Sequence, residues 1–322
     1  LISSIILTIS SIVIIFYILW KFSPELPSYD KITNYKPNLS SRVYSSDGLL
    51  LKSFYIEERI FIPIDRIPND IKNAFISAED KKFYSHYGID LVAIVRAFFT
   101  NIFSYYSNKK VVGASTITQQ VVKNLLLTNE VSFERKIKEI LLSIRVENIL
   151  DKNQILELYL NDIYLGFRSY GVAAASLNYF NKSINDLELH EIAFLASLPK
   201  APNNYNPNNH YKKAIDRRNW VIDRMYENGF IDSNDLKFKN KPIKILNRVN
   251  STYIGAEYYY EEIRKHLFLN YGKNKLYSEG LIIKTSLNSN LQSISEEVLV
   301  NGLIQYDKKQ GWRGVLGNLT DS

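Results

Sequence analysis

Glu79-Asp80-Lys81-Lys82-Phe83-Tyr84-Ser85-His86-Tyr87-Gly88-Ile89-Asp90 sets two adjacent carboxylates beside aromatics, a histidine and a glycine. Charged side chains are rarely buried without a partner, so an acid pair in this company suits the wall of a substrate cleft. A carboxylate in a partly desolvated pocket acts as a general base near neutral pH. The alternative is a solvated acid pair at a helix end. Upstream, Pro68 suits the start of a helix with Ile71, Phe75 and Ala78 on its apolar face. That helix delivers Glu79 and Asp80 at its C-terminal end, where the dipole disfavours carboxylates. Such conflicts between local preference and placement concentrate at functional sites.

Downstream, residues 90–103 read as a helix with Arg96 among Val92, Ile94, Val95, Phe98 and Phe99. Next comes Gly113-Ala114-Ser115-Thr116-Ile117-Thr118-Gln119-Gln120-Val121-Val122-Lys123-Asn124. Thr116 and Gln119 have capping-box spacing. Thr116, Gln120 and Lys123 then share one helix face. A glycine, hydroxyls at a helix start and a following lysine together suit an anion such as phosphate; the alternative is an ordinary capped helix. The Gly-Lys-Ser/Thr ending of a Walker loop is absent.

Residues 132–147 form a periodic pattern that predicts a helix with Phe133, Ile137, Ile140, Leu141 and Ile144 as its buried stripe. Arg135 and Glu139 stand four apart on it, the spacing of a surface ion pair. Asp151 and Gln154 cap the next helix, on which Glu157 and Asn161 share a face. Residues 166–180 read as a turn followed by an alanine-rich helix, and 187–198 as another helix, stopped by Pro199. Residues 211–229 are basic and helical, and Arg217, Arg218 and Arg224 read there as solvated surface.

The chain has 322 residues, room for two modest domains, and is expected to be part of a longer protein. Its net charge of +7 suits an anionic partner: phospholipid headgroups, a diphosphate or nucleic acid. The lack of cysteine excludes disulfides and thiolate metal sites. Residues 1–20 carry no charge, and about 20 helical residues span about 30 Å, a bilayer core. Tyr17, Trp20 and Lys21 mark its interfacial end, so a transmembrane anchor is expected over 1–20 and a tether over 21–41. A strand-like pattern with a turn at Asp47-Gly48 covers 42–54. The organisation expected is a catalytic domain over 42–230 and the start of a second domain over 241–322.

Five ordered stretches within residues 42–225 resemble one family, the membrane-anchored peptidoglycan glycosyltransferases of family 51. They are Glu79–Phe83 with His86 and Gly88; Gly113–Gln120 with Lys123 and Asn124; Arg135–Glu139; Ile155–Asn161 through Gly166; and Leu195–Pro207. Ala114 departs from the second glycine many members carry. Residues 285–292 and 302–313 are similar to the linker and transpeptidase opening of the Gram-negative class A type. The Ser-x-x-Lys spacing at 28–31 falls in the tether, and no Lys-Thr-Gly follows.

The resemblance implies a mainly α fold, with a lysozyme-like domain behind the anchor. It implies polymerisation of lipid II into β-1,4 glycan, with inversion at the anomeric carbon and release of undecaprenyl diphosphate. Such a displacement needs a base for the attacking hydroxyl and positive charge at the leaving diphosphate. Carried onto this sequence, Glu79 is the base and Glu139 a second essential acid. Asp80, Phe83 and His86 shape the site, while Lys123 and Arg135, helped by Thr116 and Gln120, take the diphosphate. Gly113, Ser115, Gln119, Asn124, Lys136, Glu157 and Asn161 are further substrate-binding positions. Glu139 either orients Arg135 or holds a divalent cation, Mg2+ or Mn2+; no other cofactor is implied. The implied partners are lipid II, the growing glycan strand, membrane lipid and other cell-wall synthesis proteins, not nucleic acid. The implied place is the bacterial inner membrane, single-pass, with the catalytic domain on the periplasmic side. The competing readings are a lytic transglycosylase, which needs no diphosphate cradle, and a non-catalytic envelope scaffold.

Overall fold

The structure is a computed structural model that describes residues 20–27, 39–55, 58–107, 113–128, 130, 132–246 and 255–311, and singly 10, 13 and 17. Of the expected anchor only residues 10, 13, 17 and 20 are described, and residues 28–38 of the tether lie outside the described residues. Among the described residues no helix is long and apolar enough to cross a membrane. The fold is mainly helical. The chain divides into two compact units, one of residues 1–37 with 57–249, the other of 38–56 with 250–322.

Among the described residues the first unit holds the α-helices α1 (Asn69–Glu79), α2 (Leu91–Ser107), α3 (Ile117–Leu126), α4 (Phe133–Glu147), α5 (Lys152–Asp162), α6 (Val172–Phe180), α7 (Leu189–Ser197) and α8 (Pro207–Glu227). Helix α7 is buried from His190 through Ser197, as a helix that is apolar nearly all round must be. It packs against α1 and α8, and α3 packs against α4 and α5. One core joins these helices through Phe75, Val121, Leu142, Tyr159, Phe194 and Val221. Phe75 and Tyr159 meet edge to face at 6.2 Å, a preferred aromatic geometry. Two short parallel strands, Glu58–Arg59 and Ser169–Tyr170, complete this unit.

Helix α4 faces the other way from the sequence expectation. Phe133 is 81% exposed and Ile144 37%, while Glu139, Leu142, Ser143 and Val146 are buried. The buried set recurs at i, i+3, i+4 and i+7, so periodicity holds but its phase is shifted. An acid can face inward because two cations on the same helix reach it.

In the second unit, strand β1 (Ser41–Tyr44) pairs antiparallel with β2 (Leu50–Phe54) and parallel with β3 (Ile282–Lys284). The residue pairs are Arg42 with Ile282, Val43 with Ile283 and Tyr44 with Lys284. Val43, Leu51, Phe54, Tyr260 and Leu276 form its core. The hairpin that the sequence reading placed at the start of the catalytic domain is therefore a sheet partner of residues near 283. Two helices, Glu257–Ser278 and Ser289–Lys309, complete this unit.

Candidate active site

Helix α1 ends where the sequence predicts, with Glu79 its last residue and Asp80 its C-cap. Asp80 is buried and accepts from the Ile117 main-chain N–H at 3.0 Å. A carboxylate opposing the dipole of one helix thus serves as the anion at the N-terminus of another, α3. His86 Nε2 meets the same carboxylate at 2.9 Å from Oδ2 and 3.1 Å from Oδ1. Phe83 is fully buried behind this pair and belongs to the core.

The loop closes by a tight backbone approach. Gly88 has φ +85°, and a Cβ there would stand 2.6 Å from the Ser143 carbonyl oxygen of α4. The Gly88 carbonyl accepts from the Thr116 hydroxyl at 2.6 Å. Thr116 and Gln119 form the predicted capping box. The Thr116 hydroxyl and the Gln119 side-chain oxygen are therefore engaged in shaping the start of α3, whereas Gly113 and Ser115 are exposed beside them.

Glu79 makes one direct polar contact among the described residues, from Gln120 Nε2 at 2.8 Å. Burial pushes its carboxyl above the ordinary glutamate range. The Gln120 hydrogen bond, Arg217 and Lys200 pull the other way, and Asp80 adds to the rise. Among the described residues no cation forms an ion pair with it. A carboxylate held by a neutral amide in a partly desolvated cleft is a fit general base.

Glu79 and Asp80 line a cleft of about 510 Å³ with Gly113, Ser115 and Thr116. The same cleft takes Lys81, Lys82 and Arg96, the last from α2, and Trp220 and Arg224 from α8. The sequence reading did not assign these residues to the site. Arg217 stacks 3.7 Å from the Trp220 ring and Arg224 lies 5.2 Å from it, so what reads as a solvated basic face has one edge in the cleft. Residues 217, 220 and 224 stand at i, i+3 and i+7, the one signal that could have joined them.

The second acid is held differently. Glu139 is 2% exposed. Its Oε2 accepts from Arg135 at 2.9 Å, and its Oε1 pairs with Lys136. Lys136 also donates to Ser115 at the cleft, at 2.9 Å. With both oxygens taken by cations, Glu139 fits an orienting role; two adjacent positive charges do not fit a divalent metal site. Lys123 is half-buried and Asn124 exposed on α3, and neither lines the cleft.

Glu157 and Asn161 are committed elsewhere. Asn161 Oδ1 accepts from the Ile62 N–H at 2.8 Å, and its Nδ2 donates to the Ile62 carbonyl at 2.9 Å. Glu157 accepts from the Ile64 N–H at 2.7 Å. These two side chains fasten residues 62–64.

The family model described as Transglycosylase matches residues 47–226. The chain belongs to the transglycosylase family. The match spans the whole cleft described above. Among its relatives, penicillin-binding protein 1A of Rickettsia prowazekii is 46% identical over 94% of this chain and 39% of its own length. That of Pseudomonas aeruginosa is 42% identical over 91% and 35%. That of Escherichia coli is 38% identical over 90% and 34%. The crystal structure of penicillin-binding protein 1A from Haemophilus influenzae matches with a TM-score of 0.50 at 26% identity, covering 89% of this chain and 33% of that one. The chain thus spans about two fifths of the length of the first of these relatives.

Proposed function

We propose that the protein is a peptidoglycan glycosyltransferase of cell-wall synthesis that polymerises lipid II into β-1,4 glycan, inverting the anomeric carbon and releasing undecaprenyl diphosphate. The observation that carries this reading is Glu79, a cleft carboxylate that burial pushes above the ordinary glutamate range and whose direct partner is a neutral amide. It takes the proton of the attacking sugar hydroxyl as the new bond forms. Asp80 and His86 hold the wall beside it. Arg135 and Lys136 stand for the leaving diphosphate, with Glu139 orienting them; Arg offers paired N–H donors and Lys a point charge. Lys123 is assigned to the same charge. Arg96 and Arg224, already in the cleft, add positive potential.

The lipid substrate supports an anchored enzyme at the bacterial inner membrane, its catalytic domain outward. The uncharged segment over 1–20 and the exposed Leu91, Val92 and Val95 on α2 agree with that placement. The test is polymerisation of purified, labelled lipid II in detergent, with Glu79→Gln alongside. A ladder of long glycan from the unaltered protein alone is expected; cleavage of preformed glycan instead would assign the cleft to lytic chemistry.

A further inference from the structure

Glu147 closes α4 and Lys152 opens α5. A carboxylate therefore sits at a helix C-terminus and an ammonium at an N-terminus, each against the macrodipole. They meet at 2.6 Å, with side-chain exposures of 4% and 20%. Their contacts reach beyond one another. Lys152 Nζ also donates to the His86 main-chain carbonyl at 2.7 Å and stands 4.7 Å over the Phe83 ring. Glu147 Oε1 also accepts from the Thr118 hydroxyl at 2.6 Å, and Thr118 is fully buried in α3. One buried node thus ties α3, α4 and α5 to the loop that follows Glu79.

That loop decides where the acids point. His86, whose carbonyl Lys152 holds, presents its ring to Asp80. Asp80 grips the first N–H of α3, and α3 carries Gln120, the partner of Glu79. The path from Lys152 to Glu79 runs through contacts of 2.7, 2.9, 3.0 and 2.8 Å. A partly buried ion pair is weak grounds for a stabilising role, and two residues placed against their helix dipoles need another reason.

We propose that Lys152, with Glu147 as its anchor, is a positioning residue for glycosyl transfer, fixing the Phe83–His86 loop so that Asp80 and Glu79 keep their reacting geometry. The proposal rests on the transferase reading. Lys152 touches no part of the cleft lining, so its removal acts on the rate and not on substrate capture. A misplacement of about 1 Å costs about 10²-fold in rate.

The experiment measures lipid II polymerisation and thermal melting on the full chain for four proteins: unaltered, Lys152→Met, Lys152→Arg and the Glu147→Gln/Lys152→Met pair. Lys152→Met should lower kcat about 10- to 100-fold with KM within about twofold. Lys152→Arg, which keeps both donors, should recover most of the rate. Lys152→Met alone strands a buried carboxylate, so its melting temperature falls. The double change relieves that charge, so its melting temperature recovers while kcat stays low. A double variant that regains speed along with stability would reduce the node to scaffolding and overturn the proposal, as would a loss confined to KM or a Lys152→Met enzyme of full speed. An unaltered chain that makes no glycan would sink the transferase reading and this role with it. An active unaltered chain with a fast Lys152→Met would sink this role alone.

Discussion

Two acids of the same helical unit, Glu139 buried and Glu79 half-buried at the cleft, are treated in opposite ways. Glu139 is enclosed by Arg135 and Lys136, one on each oxygen. Glu79 has a neutral amide as its direct partner and a carboxylate, Asp80, as its chain neighbour. Burial alone does not make a base. An acid with a cation on each oxygen is engaged on both sides, so it orders the groups around it. An acid whose direct partner is a neutral amide, and whose pKa burial raises, keeps an oxygen able to take a proton. The comparison assigns proton transfer to Glu79 and charge orientation to Glu139.

The largest effect should follow the first acid. Glu79→Gln is expected to reduce polymerisation at least about 10³-fold, within the range that general-base catalysis supplies. The same change should raise the melting temperature at neutral pH. The folded pKa of Glu79 lies above its unfolded value. Its contribution is thus fully present below the unfolded pKa and is lost as pH rises through the folded one. Removing the charge lifts that cost. An inactive but less stable Glu79→Gln protein would point to a scaffolding acid.

A smaller effect should follow the second. Glu139→Gln frees Arg135 and Lys136 without removing them, so activity should fall about 10- to 100-fold, chiefly through KM for lipid II. Steady-state kinetics resolves the two constants. If the loss fell wholly in kcat, with a pH limb displaced, the roles of the two acids would have to be exchanged. Chelation of divalent ions should leave the unaltered enzyme active, because the cations that hold Glu139 are its own side chains.

The smallest catalytic effect lies away from both. Asn161→Leu strands the N–H and carbonyl of Ile62, at a cost of about 1–3 kcal/mol. Denaturant unfolding should show that loss, while kcat/KM per folded molecule stays within about threefold. A raised KM with unchanged stability would return Asn161 to the substrate.

The part of this arrangement legible in the sequence was local. The acid pair at the end of α1, the Thr116–Gln119 and Asp151–Gln154 capping boxes, and the turn at Asp47-Gly48 all rest on residues within a few positions of one another. The phase of α4 was not legible, because an inward Glu139 depends on the reach of two long cations and not on hydropathy. The pairing of Arg42 with Ile282 joins residues 240 apart, and strand pattern alone names no partner. Arg96, Trp220 and Arg224 reach one cleft from helices far apart in the chain, so only their assembly shows what they share with Glu79.

The most direct measurement is the pH dependence of kcat/KM for lipid II polymerisation, in the unaltered protein and in Gln120→Ala. The acid limb of the unaltered enzyme should lie above the ordinary glutamate range, since burial raises Glu79. The Gln120 hydrogen bond lowers that same pKa, so its removal should carry the limb to higher pH. A limb that stays in place when Gln120 is lost would show that the proton is taken by another group.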